Sequence, residues 1–208
     1  MSNVAGAKRK PRRAYHHGDL KQALANVGLQ LLDEVGADFT LRQVAQRAGV
    51  THGAAYRHYE SKEALLAELA RRGFVDLTLA IDRAMRLGSP ARGKLEALLK
   101  AYVRFAWGQP ALYEVMFGRR LNEEGSFPDL EEAVQGAVRL LRVAVADYLG
   151  DDDELRARDL SIGLWSLAHG FTANVLHRRI HVRSVRRAQR YLVEVSAPFL
   201  EGALESPR

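Results

Sequence analysis

An all-α fold is what this sequence predicts, and three observations carry the prediction. No stretch of the 208 residues alternates apolar and polar side chains for long enough to make a strand. Apolar residues recur instead at steps of three and four along the chain. Helix start and stop signals punctuate those runs at intervals that suit whole helices. The expected architecture is an N-terminal three-helix domain containing a helix-turn-helix. A long helix joins it to a helical C-terminal domain.

The elements follow in order. Leu20, Leu24, Val27 and Leu31 make the inner face of a first helix, with Asp19 as expected N-cap and Gly36 as stop. Thr40 and Gln43 have the spacing of a capping box. The short helix they open turns Leu41, Val44, Ala45 and Ala48 inward and ends at Gly49. A second short helix is expected from about Thr51 to Tyr59. Ser61 then caps a long helix to about Leu87, with Leu65, Leu69, Phe74, Leu77, Ile81 and Met85 inward. After a loop at 88–90, Leu95, Leu98, Leu99, Tyr102, Val103 and Ala106 mark the next helix, which Gln109-Pro110 breaks. A short helix covers Leu112 to Phe117, and a long one covers Asp129 to Leu149. Gly150 and the three acids after it form a turn whose charge suits the N-terminus of the following helix. The last two helices are expected at about Glu154–Arg178 and Val185–Leu204.

Composition removes several function classes. With no cysteine there are no disulfides, catalytic thiols, zinc ribbons or iron–sulfur clusters. Met1 to Lys10 lacks the apolar stretch of a secretory signal, so a cytoplasmic location is expected. Leu160 to His177 carries no formal charge over 18 residues, but Ser161, Ser166, His169, Thr172 and Asn174 interrupt it. It reads as a helix buried in protein rather than a membrane span. His177 and His181 are four apart, yet Arg178, Arg179 and Arg183 surround them and would repel a cation. No metal, cofactor or catalytic constellation is expected, and the protein reads as a non-enzyme.

The charge is unevenly placed. Residues 1–62 hold 10 Lys+Arg against 5 Asp+Glu, while residues 63–208 hold 21 against 20. Lys8, Arg9, Lys10, Arg12 and Arg13 form a basic block, read as a disordered arm over residues 1–14 that touches DNA. Residues 15–62 form the next unit, and residues 63–208 the last. Within the second unit, Thr40 to Tyr59 has the pattern of a helix-turn-helix. Ala45 is small enough for the two helices to cross closely, Gly49 can take a left-handed turn, and Val50 plugs the space between them. Thr51 caps the second helix with its N-terminus outward, as phosphate contact and the major groove require. His52, Arg57 and His58 supply polar ends, and Tyr56 a phenol for phosphate. A nucleic-acid partner follows from motif and charge together.

Residues 15–66 resemble the TetR family of bacterial transcriptional regulators. The likeness runs through Gly36, Phe39-Thr40-Leu41, Val44-Ala45 and Ala48-Gly49-Val50-Thr51. It continues through Gly53, Tyr56, His58-Tyr59 and Ser61-Lys62-Glu63-Ala64-Leu65-Leu66. Tyr15 to Leu20, Pro110 to Tyr113, Met116 to Gly118 and Trp165 to Gly170 are similar to one subgroup, whose C-terminal domain carries a Trp, His, Gly signature. The resemblance implies an all-α homodimer that binds double-stranded DNA. It implies that Arg42, His52 and Arg57 reach bases or phosphates, and that Thr51, Tyr56, His58 and Lys62 hold the backbone. Gly53 belongs to the same DNA-facing set, as do Arg12 and Arg13 of the arm. Ala54-Ala55 departs from the hydroxyl and larger apolar residue of many members. That departure leaves thymine-methyl contact as the use of Ala54.

The C-terminal part reads more softly. Tyr102, Phe105, Trp107, Tyr113 and Phe117 crowd into 16 residues, with Met116 among them. Trp165 and His169 share one face of a later helix. Core packing accounts for any single aromatic, and for His169 a structural bond to a buried carbonyl, where Gly170 lets helices pack closely, is the favoured reading. Together the eight residues make a candidate apolar pocket for a small-molecule effector. The last two helices should form a dimer, with Leu160, Ile162, Leu164, Leu167 and Val175 on one and Val185, Tyr191, Leu192, Val195 and Phe199 inward on the other. The expected function is an effector-controlled repressor on a near-palindromic site. Its rivals are an architectural DNA-binding protein without an effector and a small helical enzyme.

Overall fold

The computed structural model describes residues 17–87, 90–118, 121, 125–150 and 153–205. Among them there are nine α-helices, one 3-10 turn and no strand. The order is α1 (His17–Val35), the 3-10 turn (Gly36–Asp38), α2 (Leu41–Arg47), α3 (His52–Tyr56), α4 (Lys62–Arg86) and α5 (Ala91–Gly108). Then come α6 (Pro110–Phe117), α7 (Pro128–Leu149), α8 (Glu154–Leu176) and α9 (Val185–Glu205). No helix among the described residues is long and apolar enough to cross a membrane. The basic arm and Arg12 and Arg13 lie outside the described residues.

Start signals act where the side-chain chemistry demands. Thr40 accepts from the Gln43 backbone while the Gln43 side chain takes the Thr40 N–H at 2.7 Å, closing the capping box. Ser61 caps α4 by accepting from Ala64, and Asp153 caps α8 by accepting from Arg156. Helix α1 runs from His17, two residues before the expected N-cap position at Asp19.

Two ends differ from the sequence expectation. Helix α3 stops at Tyr56, and in the turn that follows Tyr59 is buried and donates its hydroxyl to the Lys21 carbonyl at 3.2 Å. Burial pushes that phenol up to about 12, so it stays a donor. Helix α8 stops at Leu176. Arg178 takes a left-handed φ of 58°, and the N–H groups of Arg179 and Ile180 fold back onto the Asn174 carbonyl.

Helix α4 is the spine. Its 25 residues span about 37 Å. Leu65 and Leu69 pack on α1 beside Gly28, and Phe74, Leu77 and Ile81 enter the C-terminal layers formed with α5, α6 and α7. A Cβ at Gly73 would lie 2.4 Å from the Met116 sulfur, so α4 and α6 approach as closely as a glycine allows. The buried apolar cluster runs from Leu24 to Leu200. Along α9 the inward row is Ala188, Leu192, Ser196 and Leu200. Tyr191, Val195 and Phe199, expected inward in a bundle of two copies, form the neighbouring row and are exposed in the single chain. A four-residue step keeps each row on its own side of the helix.

Thr172 is 2% exposed and its hydroxyl has no hydrogen-bond partner among the described residues. Replacing the hydroxyl by a methyl removes that unmet group at nearly constant shape. Thr172→Val should therefore stabilise the fold by about 1 kcal/mol, read as a higher urea midpoint with an unchanged slope.

Candidate functional site

Helices α2 and α3 cross through small residues. Ala45 and Ala55 are buried at their contact, and Val44 and Leu41 anchor α2 in the core. Gly49 holds φ at +69°, the backbone value that lets the chain reverse in so few residues. The Val50 N–H then returns to the Ala45 carbonyl at 3.0 Å. Thr51 caps α3 by accepting from Ala54 at 3.3 Å. With these contacts made, the outward residues are dictated. Arg42, Thr51, His52, Gly53, Tyr56 and Arg57 are exposed, and Ala54, His58 and Lys62 are half-buried. His52 and Tyr56 sit one turn apart with ring centroids 4.4 Å from each other. The Lys62 ammonium lies 5.7 Å from the ring centre of buried Phe39.

Behind this unit α1 is tied to α4. Arg72 reaches Gln22 at 3.1 Å, Asn26 at 3.2 Å and Glu68 at 2.8 Å. Arg71 shares the same carboxylate. The two guanidiniums hold Glu68 below the usual carboxylate range against the opposing effect of burial.

Farther along α4 lies a cavity of about 670 Å³. Phe74, Leu77 and Ile81 of α4 and Leu98, Leu99 and Tyr102 of α5 line it. Helices α6, α7 and α8 complete it, and Val138, Ile162 and Trp165 at its rim are partly exposed. Of the eight residues expected at a pocket, Tyr102, Met116, Phe117 and Trp165 line it. Phe105 is buried away from it, and Trp107 is 39% exposed outside it. Tyr113 and His169 stand behind its wall. Residues of α7, with Arg142, and residues Arg158 and Ser161 of α8 were not expected there. No motif or spacing marks them, since the walls are assembled from segments between Phe74 and Ala168.

His169 does not bond a carbonyl, and Gly170 faces open space rather than a closely packed helix. Its Nδ1 lies 2.7 Å from the Tyr113 hydroxyl and 3.1 Å from that of Tyr102, and the two hydroxyls are 3.0 Å apart. With His169 protonated on Nε2, all three groups are satisfied when one hydroxyl donates to Nδ1 and the other donates to the first hydroxyl's oxygen; Tyr113, at the shorter distance, is the better donor to Nδ1. Burial raises both phenols, Tyr113 to about 12. Burial also lowers His169, against a weaker opposing pull from Glu114. Trp165 and Tyr113 stack on the imidazole at 5.4 and 5.7 Å.

Residues 24–69 match the family model described as bacterial regulatory proteins, tetR family. Residues 95–195 match the tetracyclin repressor-like C-terminal domain. The chain belongs to the TetR family. It is similar to the HTH-type transcriptional activator FasR of Mycolicibacterium smegmatis, with 27% identity over 129 residues, 61% of this chain and 58% of that protein. It is also similar to the nucleoid occlusion factor SlmA of Aliivibrio fischeri, with 28% identity over 113 residues, 53% of this chain and 56% of that one. The chain thus spans less than three fifths of the length of either relative. Among solved structures, a protein of unknown function from Rhodococcus sp. RHA1 superposes with TM-score 0.77 at 28% identity, covering 92% of this chain and 98% of that one. The fatty acid degradation regulator FadR from Bacillus halodurans shares the fold at TM-score 0.66 and 16% identity, covering 95% and 97%.

The lowered His169 gives this TetR-family protein a pH dependence whose sign is fixed. A histidine held neutral in the folded state contributes stability that is present above its unfolded pKa, near 6.5. That stability is lost as pH falls through 6.5 and below. Between pH 7.5 and 5.5 the thermal midpoint of His169→Asn should therefore fall less than that of the unaltered protein, as scanning calorimetry would measure.

Proposed function

We propose that this TetR-family regulator is a homodimeric repressor that occupies a near-palindromic operator and is controlled by a small, mainly apolar effector. The single observation that carries effector control is the cavity of about 670 Å³ walled by α4, the same helix that leaves the helix-turn-helix. Its size falls within the range of small-molecule sites. An architectural protein has no use for such a space. In this reading residues 15–62 bind DNA, and residues 63–208 hold the effector and the dimer contact. Trp165 and His169, stacked and followed by Gly170, support placement in the subgroup with the Trp, His, Gly signature. Exposed Tyr191, Val195 and Phe199 on α9 are the apolar side chains that a second copy would cover.

DNA contact is assigned to Arg42, Thr51, His52, Gly53, Ala54, Tyr56, Arg57, His58 and Lys62. Arg42, His52 and Arg57 carry the base-reading chemistry, and Lys62 is a phosphate contact. Two-fold symmetry in the protein asks for two-fold symmetry in the site. Coupling of about 1–3 kcal/mol between cavity and operator suffices for control. Repression needs only that the site be occupied. The resemblance to an activator makes the sign of regulation the first quantity a reporter assay should read.

Gly53 supplies a clean test. A Cβ added there meets nothing within 4 Å, so Gly53→Ala costs the free protein no packing. Helix propensity favours the alanine by up to about 1 kcal/mol. The variant should unfold at the same or a higher temperature yet bind the upstream region of its own gene at least tenfold more weakly. Unchanged affinity in gel-shift titrations would remove α3 from the interface.

A further inference from the structure

Taken as the effector site, the cavity has a polar lining that narrows what it can hold. Its interior polar groups are already committed: the Ser161 hydroxyl donates to the Ala157 carbonyl, and the Tyr102 hydroxyl belongs to the Tyr113–His169 cluster. Besides Trp165, whose indole stacks on His169, the remaining polar side chains of the lining are Arg142 on α7 and Arg158 on α8. Both are exposed, so they stand at the mouth while Leu77, Leu98, Leu99 and Leu164 line the buried interior. Arg142 has no acidic partner among the described residues, and Arg158 pairs only with its neighbour Asp159 at 2.8 Å. We propose that the cavity takes an amphiphile whose apolar body fills the interior and whose anionic head lies between Arg142 and Arg158. Leaving the head at the mouth avoids the cost of burying a charge, and guanidinium is suited to carboxylate or phosphate.

Trp165 at the rim reports occupancy through its fluorescence, with Trp107 outside the cavity as a constant background. The full chain is titrated at pH 8 with dodecanoate, dodecyl phosphate, dodecanol and dodecyltrimethylammonium below their micelle concentrations. One or both anions should bind about tenfold more tightly than dodecanol. Which anion prevails distinguishes a carboxylate from a phosphate head. In the double variant Arg142→Gln, Arg158→Gln the preference should vanish while dodecanol affinity stays the same. Equal binding of anion and alcohol, or a preference that survives both substitutions, overturns the anionic head and leaves the cavity reading standing. Failure of all four probes to bind overturns both.

The second inference is independent of the cavity. Residues 177–190 hold six arginines and no acid, in a region where residues 63–208 otherwise carry 15 Lys+Arg against 20 Asp+Glu. Arg183, Arg186, Arg187 and Arg190 are exposed, and none forms an ion pair among the described residues. Glu194 is the one acid lining the shallow cleft beside them. Three contacts fix where this turn lies. His177 meets Glu114 of α6 at 2.8 Å, α6 packs on α1 and the 3-10 turn, and Gln189 donates to the Lys100 carbonyl of α5 at 2.8 Å. The other end of α9 meets Arg92 at the start of α5, away from the helix-turn-helix. We infer that the α8–α9 turn is a second phosphate-facing surface for the same DNA duplex.

The test is the double variant Arg183→Gln, Arg186→Gln in the full chain, with Arg183→Gln alone as the milder variant. Affinity for the operator and for random duplex is followed by anisotropy across a potassium chloride series. Both affinities should fall in parallel, and the salt slope should drop by about one unit for each arginine–phosphate pair removed. An unchanged slope on both duplexes overturns the inference. Loss of binding to phosphatidylglycerol vesicles with an unchanged DNA slope also overturns it, and would assign the turn to a membrane surface instead.

Discussion

Helix α4 has to bury one side along its whole length against two different sets of neighbours. Near its start Leu65 and Leu69 close on α1 beside Gly28. Farther on, Phe74, Leu77 and Ile81 sit among the C-terminal helices. Everything else is arranged so that this helix can be shared. Gly73 lets α6 come close, and Arg72 binds α1 through Gln22 and Asn26. A displacement of α4 in the C-terminal layers is therefore felt at α1, on which α2 also packs. Packed interiors transmit such displacements because they are dense and have few voids.

The cavity is the exception to that density, and the surrounding chemistry explains why it holds its shape. Tyr102, Tyr113 and His169 satisfy one another behind its wall, so no polar group there needs water from the cavity. Phe117 leans on His169 at 5.0 Å and on Phe74 at 5.2 Å, joining the polar cluster to α4 through aromatic contact. Met116 fills the gap left by Gly73 with a side chain that adapts easily. The wall thus has one rigid side, built on hydrogen bonds, and one compliant side, built on a thioether.

The parts of this architecture that are legible in sequence are those fixed by neighbours in the chain. The capping box at Thr40 and Gln43, the caps at Thr51 and Ser61 and the break at Pro110 are local chemistry, and helix positions follow from them. The tie between Tyr59 and α1 is not legible, because the Lys21 carbonyl lies 38 residues away in the chain. The inward row of α9 escapes sequence reasoning for a related reason. Ala188 and Ser196 are small or polar, so a lone helix gives no sign that they face the core while Tyr191, Val195 and Phe199 do not. The aromatic cluster at 102–117 points to the right helices but cannot separate Tyr102, which lines the cavity, from Phe105, which does not. Arg142 carries no signal, since an arginine on an amphipathic helix looks like any solvated charge until α8 is laid beside it.

The cavity lining begins on α4 at Phe74, while the surface assigned to DNA ends on the same helix at Lys62. No residue belongs to both sets. Mutations can then accumulate in one without touching the other. After a gene duplication, one copy can drift toward a new signal and still recognise the ancestral promoter, or keep its signal and move to another promoter. Only the stretch of α4 between Lys62 and Phe74 lies between the two sets and is answerable to both histories.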